Sequence, residues 1–260
     1  MQNRTALITG ASSGIGREFA KLLAKDCSRL VLVARSQDRL QDLKQELEKT
    51  FPITVKVIVR DLSKAAAAHE IYLELERGHI AVDILINNAG FGGYGAFVET
   101  DWPHEAQMIG VNIVAMTEMT KLFVTGMVAR KSGKIMNVSS TAAFQPGPLM
   151  SIYYASKAYA LSFSEAIANE LAGTGVTVTA LCPGPTATGF ARAAGMEHSR
   201  LFRYAKIASA EEVARYGYRA MMSGKTVAVH GLMNKLLAFS VRLAPRKFLV
   251  SFVRGLHKTA

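Results

Sequence analysis

Short, nearly continuous apolar runs alternate along the chain with longer stretches whose apolar residues recur every three or four positions. Ala6-Leu7-Ile8-Thr9 is the first run, followed by a glycine-containing turn and a helical pattern over residues 15–25. Leu30 to Ala34 is a second run, and residues 36–49 place Leu40, Leu43 and Leu47 on one helical face. Val55 to Val59 and a helix over 64–77 follow. Asp83 to Ile86, Lys134 to Val138 and Val176 to Leu181 read as three more strands, and Val227-Ala228-Val229 as a short seventh. Strands this apolar need cover on both faces, which a parallel sheet between two helical layers provides. The pattern predicts an α/β chain with a Rossmann-type doubly wound parallel sheet of about seven strands. No linker or repeat breaks it, so residues 1–260 read as a single domain.

Composition narrows this picture. The chain has 260 residues, half of them hydrophobic, enough for one large core. Its two cysteines, Cys27 and Cys182, point to neither a disulfide framework nor a metal site, and a reducing, cytoplasmic setting is expected. The N-terminus lacks the long apolar stretch of a signal peptide, and no window holds 18 uninterrupted apolar residues. The net charge of +11 is uneven. No acidic residue follows Glu212, and residues 213–260 hold nine Lys/Arg, leaving 22 Lys/Arg against 20 Asp/Glu before them. The basic character belongs to the C-terminus, which argues against a general nucleic-acid footprint.

Thr9-Gly10-Ala11-Ser12-Ser13-Gly14-Ile15-Gly16 lies between the first strand and the first helix. Its glycines read G-x-x-x-G-x-G, which permits a tight turn and close backbone approach to a pyrophosphate at the helix N-terminus. An acidic residue at the end of the second strand would hold ribose hydroxyls, but Arg35 stands there instead. A guanidinium suits a 2′-phosphate, with Arg17 adding positive charge, so NADP(H) is expected over NAD(H).

Tyr153 and Lys157 are four residues apart, on one face of a helix. A neighbouring ammonium favours the phenolate, so Lys157 is expected to lower the pKa of Tyr153 and fit it for proton transfer. Tyr154 has Ala158 as its own partner and reads as a core or pocket residue.

Together these residues resemble the short-chain dehydrogenase/reductase family over roughly residues 4–190. Asp61-Leu62 is similar to its adenine-contacting position, Asn88-Ala89-Gly90 to the turn beside the cofactor, and Asn112 to its helical catalytic asparagine. Ser140, thirteen residues before Tyr153, matches its substrate-contacting serine, while Ser139 reads as structural. Pro183, Gly184, Thr186 and Thr188 resemble the loop that reaches the nicotinamide. The resemblance implies hydride transfer between the nicotinamide and a carbonyl/alcohol pair in a dinucleotide-binding catalytic domain. Tyr153 would protonate the developing alkoxide, Ser140 would bond the substrate oxygen, Lys157 would hold ribose hydroxyls and Asn112 would anchor a water relay. A homo-oligomer, dimer or tetramer, is the family expectation.

Residues 185–208 are expected to form the variable substrate lid. Phe190, Met196, Leu201, Phe202 and Tyr204 there either line an apolar pocket, suited to an acyl or lipid-like substrate, or pack on the fold. Ser209-Ala210-Glu211-Glu212 reads as a capping box. The extension over 231–260 carries two apolar stripes, Leu232 to Ala244 and Phe248 to Leu256, each with basic residues opposite. It fits a pocket cover, a subunit interface, peripheral contact with a membrane surface or a solvated tail. Two other functions share the fold, a non-catalytic dinucleotide-binding regulator and a membrane-surface scaffold, but neither needs both the proton-transfer groups and the glycine loop.

Overall fold

The computed structural model describes residues 2–196, 199 and 207–257. Seven parallel strands form the central sheet: β1 (Gln2–Thr9), β2 (Cys27–Ala34), β3 (Thr54–Val59), β4 (Ile84–Asn87), β5 (Gly133–Val138), β6 (Val176–Cys182) and, last in the sheet, Val227–Val229. Two short strands, β7 (Thr186–Ala187) and β8 (Ala208–Ser209), pair separately, which makes Val227–Val229 strand β9. The sheet order is β3-β2-β1-β4-β5-β6-β9, reversing direction between β1 and β4. Ligands of such sheets bind beyond the strand C-termini at that reversal.

Side-chain alternation divides the core. Ala6 and Ile8 of β1, with Leu30 and Leu32 of β2, point to one face. Helices α1 (Gly14–Leu23) and α2 (Gln37–Thr50) cover that face through Phe19, Leu40, Leu43 and Leu47. Leu7, Val31 and Val33 point to the other face, met by Ile71 and Leu75 of α3 (Ala67–Arg77). The long helix on that face comprises α4 (Trp102–Ile109), a π-helical turn at Gly110–Ala115 and α5 (Met116–Ala129). By length and composition it could cross a membrane, but Met119, Phe123 and Met127 seat it on the sheet. Helix α6 (Ser151–Glu170) carries Tyr153 and Lys157. Then come α7 (Phe190–Ala193), α8 (Ala210–Met222), α9 (Leu232–Ser240) and α10 (Arg246–His257).

The predicted elements differ mainly at their ends, where local geometry extends or trims the apolar pattern. The capping box is present: Ser209 Oγ accepts from Glu212 N at 3.1 Å, and Ser209 N donates to Glu212 Oε2 at 3.0 Å. The β7–β8 pair was not legible, because its two-residue strands carry no periodicity. It clasps both ends of the expected lid; Leu201, Phe202 and Tyr204 lie outside the described residues. Cys27 and Cys182 are buried and unpaired, and no metal-binding cluster occurs among the described residues.

Candidate active site

A cavity of about 510 Å³ opens at the C-terminal ends of the strands. The catalytic and cofactor-binding residues read from the sequence line it, except Gly16 and Asn112, which stand behind its wall, and Arg17. Gly10 and Gly14 adopt φ of 65° and 53°, the left-handed region that favours glycine. A Cβ on Gly16 would lie 2.4 Å from Gly10 O, so only glycine lets α1 start this close to β1. Asn88 locks the turn from below, donating through Nδ2 to Thr9 O at 2.9 Å, while the Asn88 and Ala89 N–H groups donate to Thr9 Oγ1 at 3.0 Å. Ser13 precedes α1 without capping it with its side chain. The first-turn N–H groups, which no earlier helical turn can satisfy, thus face the cavity.

At the other end, Arg35 and Asp61 flank the wall formed by β2 and β3. Ser63 N donates to Asp61 Oδ1 at 3.0 Å; that bond and the nearby Arg35 hold the Asp61 carboxyl below its usual range. Arg17 does not contribute here. It pairs with Glu46 at 2.6 Å, because α1 packs beside α2 and turns that side chain away from the cavity. Arg39 and Arg60 line this end instead and were missed. Arg39 stands in the first turn of α2, shortly after Arg35 at the end of β2, and that nearness could have signalled it.

The reactive end joins β5 to α6. Lys157 Nζ donates to Val138 O at 2.9 Å and lies 5.7 Å from the Tyr153 ring centroid, while Ser139 Oγ donates to Lys157 O at 2.8 Å. Ser140 Oγ accepts from Ala142 N at 3.1 Å and caps the turn at Thr141–Phe144. The expected depression of the Tyr153 pKa is not observed. Burial pushes this phenol up to about 12, only partly offset by the Ser140 hydroxyl, and burial brings Lys157 down to about 8. Desolvation acts against the charged form of both groups and sets the direction of both shifts.

Asn112 sits in the π-helical turn, a distortion frequent at functional sites. Its carboxamide accepts from Phe91 N at 3.2 Å and donates to Phe91 O and Ser156 Oγ, both at 3.0 Å. The side chain therefore braces Phe91 and α6.

Phe190 and Met196 line the cavity, and the Phe190 ring stands 5.0 Å from that of Tyr153. Thr188 lies over Gly14, within 3.0 Å of where a Cβ would be. A pocket cover was one role expected of the C-terminal extension, but His257 of α10 was missed. Val253 packs in the cluster that holds Tyr153, Tyr154, Met150 and Met196. His257, fully buried, meets Tyr154 OH through Nε2 at 2.8 Å and Pro148 O through Nδ1 at 2.7 Å. The second apolar stripe divides: Val253 is buried beside His257, while Phe248 and Phe252 face solvent.

The sequence profile of the family described as short chain dehydrogenase matches residues 4–198, three quarters of the chain. The chain belongs to the short-chain dehydrogenase family. This short-chain dehydrogenase is 33% identical over 217 residues to hydroxysteroid dehydrogenase-like protein 1 of Gallus gallus, covering 82% of this chain and 64% of that one. It is 33% identical over 193 residues to the very-long-chain 3-oxoacyl-CoA reductase of Homo sapiens, covering 72% of this chain and 61% of that one. The chain thus spans under two thirds of the length of these curated relatives. Among solved structures, a short-chain dehydrogenase from Sphingobium yanoikuyae in complex with NADPH superposes with a TM-score of 0.82 at 30% identity, covering 92% of this chain and 94% of that one. A Burkholderia phymatum enzyme in complex with NAD gives 0.81 at 26% identity, covering 99% and 98%. The glycine cradle of this short-chain dehydrogenase, with Gly16 and Gly10 in backbone contact, fits the nicotinamide dinucleotide that the family binds.

Proposed function

We propose that this short-chain dehydrogenase is an NADP(H)-dependent carbonyl reductase or alcohol dehydrogenase acting on an apolar, acyl- or lipid-like substrate. The observation that carries the reading is the meeting of Ser140, Tyr153 and Lys157 in the same cavity as the glycine cradle. Bound there, the dinucleotide supplies or accepts the hydride. Ser140 Oγ hydrogen-bonds the substrate oxygen, an oxyanion-type role. Tyr153 gives its phenolic proton to that oxygen in reduction and takes it back in oxidation. Lys157, a donor of three hydrogen bonds with one held by Val138 O, orients the nicotinamide ribose and favours the phenolate that proton loss creates.

Arg35 and Arg39 at the adenosine end support a 2′-phosphate, since guanidinium groups suit that anion, while Arg60 beside them pairs with Glu70 at 3.1 Å. Met150, Tyr154, Phe190 and Met196 give the other end an apolar wall. That wall and the two curated relatives support an acyl- or steroid-sized carbonyl compound. The test is NADPH oxidation across ketones, aldehydes and 3-oxoacyl thioesters, with Tyr153→Phe alongside. The variant is expected to lose turnover and keep NADPH binding; near-normal turnover would sink the assignment.

A further inference from the structure

Helix α9 is built inside out. Its half-buried positions are Asn234 and Ala238, four apart, and Asn234 rests on Gly184 while donating from Nδ2 to His230 O at 2.8 Å. Its exposed positions include Leu232 at 73%, Leu236 at 55% and Leu237 at 55%. A helix on a water-facing surface places such residues the other way round. The pattern continues beyond it. Leu243 is 76% exposed, and Phe248 and Phe252, exposed at 62% and 53%, stack with centroids 6.2 Å apart. Single exposed apolar residues are ordinary, but consecutive turns of two successive helices form a patch that calls for a partner.

Charge identifies the partner. Lys235, Arg242, Arg246, Lys247 and Arg254 are all exposed on the same two helices and their linker, and no acidic residue occurs anywhere after Glu212. A second copy set face to face on this surface would bring like charges together. An anionic lipid surface accepts both the leucine and phenylalanine side chains and the cations. Buried Val253 and His257 fix α10 to the body of the protein, so the patch is presented on a firm base.

We propose that α9 and α10 form a docking surface for an anionic membrane, with the apolar side chains entering the headgroup boundary and the cations holding lipid phosphates and carboxylates. The inference stands independently of the reductase reading, since its test requires no turnover.

The experiment is co-sedimentation of the full chain with phosphatidylcholine vesicles, with and without phosphatidylserine. Binding is expected only when phosphatidylserine is present, and added salt is expected to weaken it. Lys247→Ala and Arg254→Ala are each expected to weaken binding about fivefold, the effect of one cation at such a surface. Leu236→Ser combined with Phe248→Ser is expected to abolish it without changing the circular-dichroism melt. Two results overturn the proposal. One is absence of binding to anionic vesicles. The other is a self-association, seen by sedimentation equilibrium, that the double variant abolishes while wild-type protein ignores vesicles, which would make the patch an interface between copies.

Discussion

Replacing His257 with alanine tests whether the C-terminal helix is held by its imidazole. Pro148 O can only accept, so Nδ1 carries the proton and Nε2 of the neutral ring accepts from Tyr154 OH. Removing the ring deletes two buried hydrogen bonds, worth about 1 kcal/mol each. The undocked population of α10 should then rise roughly thirtyfold, since 1.4 kcal/mol is about a factor of ten. Protonation should act in the same direction. Burial lowers the His257 pKa, with the Pro148 bond partly offsetting it. In the window between the lowered pKa and the ordinary value of 6.5, the released ring binds a proton that the docked ring does not. Docking is thus fully present above pH 6.5 and weakens as pH falls, by at most about tenfold per pH unit. Hydrogen exchange of amides 249–257, corrected for intrinsic rates, measures this. Equal protection in wild type and His257→Ala, or a wild-type protection independent of pH, would refute the argument.

Further outcomes follow from the same geometry. Arg35→Ala is expected to raise the KM for NADPH by about ten- to a hundredfold and leave that for NADH nearly unchanged, the loss of one charge-assisted contact of about 1.5–3 kcal/mol. In Gly16→Ala the new Cβ would meet Gly10 O at 2.4 Å, so isothermal titration with NADPH should show binding lost, along with a lowered Tm. In Gly147→Ala the added Cβ would reach within 2.2 Å of Tyr154 Cγ, so exchange of 249–257 should rise as it does in His257→Ala. Lys157, held near 8 against an ordinary 10.5, loses its proton in the folded chain before the unfolded one. Wild-type stability relative to Lys157→Met should therefore climb between pH 8 and 10, by about 1.4 kcal/mol per unit. Urea unfolding of both proteins checks the slope.

The strands were legible because a parallel sheet buried on both faces writes its cover directly into the chain. Val227–Val229 could be read from three residues because two of them are branched and all three are apolar. The cofactor turn was legible for a different reason: a left-handed backbone at Gly10 and close backbone approach at Gly16 exclude other residues. Arg17 misled because a sequence shows proximity to the turn but not the Glu46 carboxylate that α2 brings beside it. The direction of the Tyr153 shift misled similarly, since pair spacing reveals the cation but not the burial that opposes it. His257 lies 103 residues beyond Tyr154, with no local pattern joining them, and only the tertiary fold places the two in contact.

The two bonds between the end of β5 and α6 have a consequence for how this protein can change. Val138 O takes the Lys157 ammonium, and Ser139 returns a bond to the Lys157 carbonyl. Strand end and helix are stitched in both directions, so Ser140 and Tyr153 keep their relation whatever surrounds them. The segment that brings Phe190 and Met196 to the cavity is attached elsewhere, between β7 and β8. Under the proposed function, new selectivity can therefore be sought by changing residues between β7 and β8, while Ser140, Tyr153 and Lys157 stay in register.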